Sequence, residues 1–294
     1  MIPGPPLLAG DPGRLGRYTL LGRLGQGGMG VVYLGRDRDG RAVAIKVIRP
    51  ELAANSGYLA RLRREAELGR KVKGPFVAEV LDAAFDAEQP YLVTAYVEGT
   101  TLQARVRDRG ALPPPEVAHL AAGMAAALSA IHGAGLVHRD LKPGNVLLSA
   151  EGPRVIDFGI ARAVGDHAAP TRAEPGTAEF MAPEQLDGTG VGPAADVFAW
   201  GGLLVYASTG RPPFGDKAGG LDALERRVRF HQPDLGSLED PLRELVAAAM
   251  AKLPSGRPTA RVLVERLPTG QPPTGRGRWL RAMLRAGPRR SARR

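Results

Sequence analysis

Apolar and polar positions divide this chain into two unlike parts. Between Tyr18 and Ile48, the stretch YTLLGRLGQGGMGVVYLGRDRDGRAVAIKVI breaks into short β-rich runs separated by glycine and charge. It predicts three strands, with Val31–Leu34 and Ala42–Ile48 among them and Asp39-Gly40 as a hairpin turn. Residues 58–72, YLARLRREAELGRKV, read as a helix. VAEVLDAAFD (77–86) and PYLVTAYV (90–97) then read as a strand pair. From about Leu102 the pattern changes to helices rich in Ala and Leu, with the short strands NVLLS and RVIDF between them. The break falls near Glu98-Gly99. No internal repeat occurs.

Two apolar stretches raise the question of a membrane span. VAHLAAGMAAALSAIHGAGLV (117–137) is long enough, but it is mostly Ala and Gly and carries His119 and His132. Its hydropathy is low for a span, so it reads as a buried helix. VFAWGGLLVYAST (197–209) is too short, follows Asp196, and reads as a second core helix.

Composition changes this picture little, and charge sharpens it. With 294 residues and 44% hydrophobic content, the chain can build a sizeable core. It has no cysteine, which excludes disulfides and thiolate metal sites and fits a reducing compartment. The net charge is +10, yet eight arginines and no acid lie between Arg276 and Arg294. With those eight set aside, 32 basic residues face 30 acidic ones. The basicity therefore belongs to a tail, and a nucleic-acid footprint spread over a folded face is disfavoured. Residues 1–14 read as a flexible Pro/Gly leader without the pattern of a signal peptide. Residues 268–294 read as a Pro/Gly linker and the basic tail.

The densest chemistry begins at LGQGGMGVVYLG, residues 24–35, with glycines at 25, 27, 28 and 30. Each glycine costs backbone entropy, so something must approach the backbone too closely for a Cβ. A Rossmann loop would lead into a helix, but another strand follows here. A Walker A loop would continue Gly-Lys-Ser/Thr, which is absent. A hairpin folded over a nucleotide, offering N–H groups to its phosphates, remains beside a plain flexible hairpin.

The next residues favour the nucleotide. VAIK places Lys46 within an apolar strand, where it needs a partner. On the following helix, Glu67 sits among Arg63, Arg64, Arg70 and Lys71, a solvated face. Glu65 shares a stripe with Leu62, Leu68 and Gly69 and faces inward. The expected pair is therefore Lys46–Glu65, with Lys46 reaching the α- and β-phosphates. GLVHRDLKPGNVLL (135–148) then packs His138, Arg139, Asp140, Lys142 and Asn145 into eight residues, and VIDFG adds Asp157 after a buried strand. Phosphoryl transfer needs hard oxygen ligands for Mg²⁺, a base for the hydroxyl and cations on the phosphates. Asn145 and Asp157 can supply the first, Asp140 the second and Lys142 a cation.

With these stretches in place the chain resembles the eukaryotic-like protein kinases. GQGGMGVV, VAIK, HRDLKPGN, DFG, APE (182–184), DVFAWG (196–201) and GRP (256–258) occur in family order over about residues 15–267. Lys142, two residues after Asp140, is similar to serine/threonine kinases, and GTAEFMAPEQ and FGIARA resemble the bacterial Hanks-type members of an actinobacterial-looking lineage. The resemblance implies an α+β bilobal protein kinase fold. The small β-rich N-lobe would cover about 15–97 and the larger, mainly helical C-lobe about 98–267.

It further implies ATP binding by Leu24, Gly25, Gln26, Gly27, Gly28, Met29 and Gly30. Val32, Ala44 and Leu147 would sandwich adenine, with Thr94 as gatekeeper and Ala95 to Val97 as the hinge. Asp196 would brace the catalytic loop, and Glu184 and Arg257 would form a buried structural ion pair. Tyr91 and Tyr96 are expected to pack. Two positions depart from the family pattern: Ala95 stands where an acid is common, and Leu253 stands where Asp precedes Pro254. The expected cofactors are ATP and Mg²⁺, with Mn²⁺ as an alternative metal.

Between Asp157 and Glu184 the hydroxyl residues are Thr171 and Thr177. Thr177 resembles a structural contact to the catalytic Asp and Lys. Thr171 is the expected phosphosite, pairing with Arg139 and with Arg162 or Arg172. In the tail, Trp279, Leu280, Met283 and Leu284 alternate with Arg and could lie on an anionic membrane surface, the plain alternative being a solvated basic tail. The expected partners are protein substrates and a transient homodimer for autophosphorylation in trans. The expected location is cytoplasmic, or peripheral to the inner face of the membrane. The alternative is a nucleotide-binding pseudokinase scaffold, which usually lacks the residue at Lys46, Asp140 or Asp157, and all three are present.

Overall fold

The computed structural model describes residues 6–157, 178–216 and 219–267. Its first part runs β1 (Arg14–Leu15), β2 (Tyr18–Gly27), β3 (Gly30–Arg36), β4 (Ala42–Ile48), α1 (Pro50–Ala53), α2 (Ser56–Gly69), β5 (Val80–Ala84) and β6 (Tyr91–Ala95). The six strands form one antiparallel sheet in the order β1-β2-β3-β4-β6-β5. The next strand, β7 (Thr100–Thr101), joins a different sheet with β8 (Val146–Ser149) and β9 (Gly152–Val155). Between β7 and β8 lie α3 (Leu102–Arg109) and α4 (Pro114–Gly133). After them come α5 (Pro183–Leu186), α6 (Pro193–Thr209), α7 (Leu221–Phe230), α8 (Leu242–Ala249) and α9 (Ala260–Arg266).

The predicted elements are present, with shifted ends. The helix expected at 58–72 starts at Ser56, because the Asn55 side chain accepts the Tyr58 N–H at 3.0 Å and caps it. It ends at Gly69, and Val72 is buried beyond it. The stretch at 117–137 begins at Pro114 and ends at Gly133, and the stretch at 197–209 belongs to the longer α6. Trp200 in α6 is fully buried and donates its indole N–H to the Ala121 carbonyl of α4 at 3.1 Å. No helix among the described residues is long and apolar enough to cross a membrane.

The sheet of the first part has two faces with separate roles. Leu15, Tyr18, Leu20, Tyr33, Val43, Ile45, Tyr91 and Val93 form one small core on the face away from α2. Residues directly opposite each other on paired strands share a face. Val32 pairs with Lys46 and Lys46 with Leu92; Ala44 pairs with Leu34 and Thr94. The period of two thus puts Val32, Ala44, Lys46 and Thr94 on the other face.

The leader departs from expectation. Residues 6–14 are held against the sheet rather than loose. Asp11 accepts hydrogen bonds from Arg23 Nε at 2.8 Å, Arg23 Nη2 at 2.7 Å and the Tyr33 hydroxyl at 2.7 Å. The linker, the basic tail, Thr171 and Thr177 lie outside the described residues.

Candidate active site

The glycine loop is the turn between β2 and β3, with Gly27 opposite Gly30. Its glycines answer to different demands. A Cβ on Gly30 would overlap the main-chain carbonyl oxygen of Val47 on the neighbouring strand, so Gly30 is required by the sheet itself. A Cβ on Gly25 would meet nothing within 4 Å, so that side of the loop is open to a ligand. Arg49, just past β4, holds the tip: its guanidinium donates to the Gly27 carbonyl at 2.8 Å and its N–H to the Met29 carbonyl at 2.9 Å. Leu24 has no register partner on β3, because a bulge separates the pairs Arg23–Tyr33 and Gly25–Val32. Bulges of this kind recur beside active sites, where they re-aim a side chain.

Lys46 is found with a different partner than the sequence predicts. Its Nζ lies 3.2 Å from Asp157 Oδ2. Glu65 lies instead 3.8 Å from an Arg139 guanidinium nitrogen. This corrects the expected Lys46–Glu65 pair. The inward placement of Glu65 on α2 holds, its side chain being 17% exposed, but α2 presents it towards Arg139. Burial pushes the Glu65 carboxyl up to about 7, against weaker opposite pulls from Arg139 and Arg61.

Between α4 and β8 the chain folds into a compact polar knot. Asp140 Oδ2 lies 3.0 Å from Lys142 Nζ and accepts the Asn145 amide at 3.1 Å. The same Asn145 Nδ2 donates to the Asp140 main-chain carbonyl at 2.8 Å. With its nitrogen committed to Asp140, Asn145 has its amide oxygen left for a cation. Asp196, in the first turn of α6, is buried and braces the loop from below. It accepts the main-chain N–H of His138 at 2.7 Å and of Arg139 at 2.8 Å, and it contacts His132 Nε2 at 2.8 Å. His138, also buried, reaches the Ile156 carbonyl from its ring at 3.2 Å. That contact ties the loop of Asp140 to the segment carrying Asp157.

Arg139 and Asp157 have φ of 63° and 56°, the left-handed region that side chains other than glycine seldom occupy. Two such residues at the centre of one site fit the rule that backbone strain collects where chemistry is done. Gln185 adds a tie the sequence reading missed. It donates to the Arg139 carbonyl at 2.8 Å and accepts the Ala182 N–H at 3.0 Å. No spacing signal marks it, since its partners are 46 and 3 residues away. In the sequence His132 reads only as a polar interruption of an apolar helix.

The donor set fits a divalent cation bound with phosphate. Among the described residues no group of three or more His, Asp or Glu forms a closed metal cage. Two hard oxygen donors, Asp157 and the Asn145 amide, suit Mg²⁺, which keeps waters and shares substrate phosphates. Of the ATP-binding expectations, Val32, Ala44, Lys46 and Thr94 share one sheet face, and Leu147 pairs with Thr101 in the second sheet, beside the polar knot.

Residues 18–267 match the protein kinase domain family. The probable serine/threonine-protein kinase PkwA of Thermomonospora curvata is 47% identical over 266 residues, which cover 90% of this chain and 35% of that protein. The serine/threonine-protein kinase AfsK of Streptomyces coelicolor is 48% identical over 250 residues, 84% of this chain and 31% of that one. The chain thus spans about a third of the length of these curated relatives. Among solved structures, the PknI kinase domain of Mycobacterium tuberculosis is similar with a TM-score of 0.68 at 27% identity, over 89% of this chain and 98% of that one.

Proposed function

The chain belongs to the protein kinase domain family, and from that premise we propose that it is a serine/threonine protein kinase transferring the γ-phosphate of ATP to protein hydroxyls. ATP and a divalent metal are general to the family. The observation that carries the reading is the knot of Asp140, Lys142 and Asn145 beside Asp157, with Lys46 reaching Asp157 from the sheet. The serine/threonine-protein kinase names of PkwA and AfsK support the same hydroxyl specificity.

In this reading the adenine lies against Val32, Ala44 and Leu147, below the hinge at Ala95 to Val97. Lys46 binds the α- and β-phosphates once nucleotide competes with Asp157 for it. Asn145 and Asp157 would hold the divalent ion, Mg²⁺ or alternatively Mn²⁺, which when bound would neutralise charge on the phosphates. Asp140 orients the acceptor hydroxyl and takes its proton. Lys142 stands beside Asp140 and offsets negative charge on the transferred phosphoryl group. Thr171 is the proposed site of autophosphorylation, by way of a transient homodimer, and the Arg-rich tail is the proposed contact to an anionic membrane surface.

The test is incubation with γ-labelled ATP and Mg²⁺ beside an Asp140→Asn control. Label is expected in the wild type only, with the variant lower by about 10²–10⁴-fold, the usual worth of a positioned base. Peptide mapping should place label at Thr171. Equal label in both chains would refute the role of Asp140. No label in either, with ATP still bound, would favour a nucleotide-binding scaffold.

A further inference from the structure

Asp11 lies outside the residues that match the family, which begin at Tyr18. Nothing in the catalytic arrangement calls for it. Yet its side chain is only 3% exposed, and a carboxylate so enclosed is costly unless its oxygens are satisfied. They are satisfied fully. Oδ2 accepts the Leu8 N–H at 2.8 Å and Arg23 Nε at 2.8 Å; Oδ1 accepts Arg23 Nη2 at 2.7 Å and the Tyr33 hydroxyl at 2.7 Å. The Arg23 guanidinium also sits 6.0 Å over the Tyr33 ring.

The two residues Asp11 binds are cross-strand partners, and their place in the register matters. Arg23–Tyr33 is the last regular pair before the bulge at Leu24, and Gly25–Val32 is the first pair after it. A slip of one residue in a strand turns every side chain to the opposite face. Here it would carry Gly25 and Leu24 out of line with Val32 and Lys46. Arg23 also donates to the Gln26 side chain inside the loop at 3.4 Å. The loop is therefore clamped at its tip by Arg49 and at its base by the Arg23–Tyr33 pair that Asp11 closes.

We propose that Asp11 is a positioning residue for nucleotide binding: through Arg23 and Tyr33 it locks the register at the base of the glycine loop and so holds the loop over the phosphates. The idea rests on the kinase reading above. It assigns to the segment before the family domain a part in ATP affinity.

The experiment uses the full chain with Asp11→Asn, which keeps shape and loses charge, Asp11→Glu, and Tyr33→Phe. ATP–Mg²⁺ affinity is measured by titration calorimetry, KM for ATP and kcat by label transfer, and Tm by thermal unfolding without nucleotide. Loss of charge-assisted hydrogen bonds should raise both Kd and KM for ATP about tenfold in Asp11→Asn. The kcat at saturating ATP should stay within about twofold, because ground-state and transition-state binding fall together. Asp11→Glu should recover part of the affinity, and Tyr33→Phe should lose about two- to threefold as a single neutral hydrogen bond. A lower Tm with unchanged KM and Kd would make the contact merely structural and overturn the proposal. Should Asp11→Asn fail to fold, unchanged ATP affinity in Tyr33→Phe would overturn it equally. A wild-type chain that binds no ATP would instead refute the kinase reading, and the inference with it.

Discussion

Glu65 is the residue whose surroundings differ most from its sequence pattern. Its stripe on α2 points inward, as expected, but Lys46 is engaged with Asp157 and Glu65 is left near Arg139. In the unfolded chain its carboxyl titrates at the ordinary value of 4.5, and in the folded chain burial holds the proton until about 7. Between these values the folded chain binds the extra proton. Its stability therefore falls as pH rises through the window, and stays flat above it. The loss amounts to at most about 3 kcal/mol. Denaturant unfolding of the nucleotide-free chain from pH 4.5 to 8 should show the decline, and Glu65→Gln should flatten it. An unchanged slope in the variant would show that another group titrates.

At the scale of elements, the glycine loop joins one residue fixed by the sheet to another that faces open space. Gly30 faces the Val47 carbonyl of β4, and Gly25 faces open space. Gly30→Ala should therefore destabilise the chain by about 2 kcal/mol or more, since main chain must move to admit the methyl group. Gly25→Ala should leave Tm nearly unchanged and weaken ATP binding. Thermal unfolding and nucleotide titration of the two variants separate these outcomes. A Tm loss shared by both would mean the loop acts as one structural unit. The loop of Asp140, proposed to be catalytic, is built differently, with little regular structure of its own, and Asp196 of α6 supports it from beneath by accepting main-chain N–H groups.

At the scale of the molecule, a buried ion pair joins distant segments. Arg257 donates to both oxygens of Glu184, at 2.6 and 2.9 Å, across 73 residues of sequence. Its remaining bonds go to the carbonyls of Ala194, Ala251 and Lys252, and its guanidinium lies 4.9 Å over the Phe198 ring. Removing one partner leaves the other charge buried and unpaired. Glu184→Ala should cost about 3–5 kcal/mol and lower Tm by roughly 10 °C in a domain of this size. A calorimetric scan showing a shift of only about 1–2 °C would mean that water or another acid replaces the carboxylate.

Much of the site could be read in order along the chain. The run from His138 to Asn145 is local, so its donors and acceptors lie within reach of each other whatever surrounds them. The strand period places Val32, Ala44, Lys46 and Thr94 on one face once the hairpin turn is recognised. The buried helices were legible because a long Ala-rich stretch with two histidines suits a core and not a bilayer.

Other features depend on distances that sequence spacing does not contain. Which acid meets Lys46 is decided by tertiary packing, because Asp157 is brought within 3.2 Å of it while Glu65 on α2 is placed near Arg139 instead. Asp11 reads as part of a loose Pro/Gly leader, yet the β2–β3 pair offers it three donor groups and so ties it to the sheet. Gln185 and His132 gain their roles from contacts 46 and 64 residues away. The sequence by itself determined the residue types that do the chemistry and the faces on which regular elements display them, because both follow from local periodicity. Tertiary structure alone decided which charges pair, because that choice depends on competition among groups brought together from distant parts of the chain.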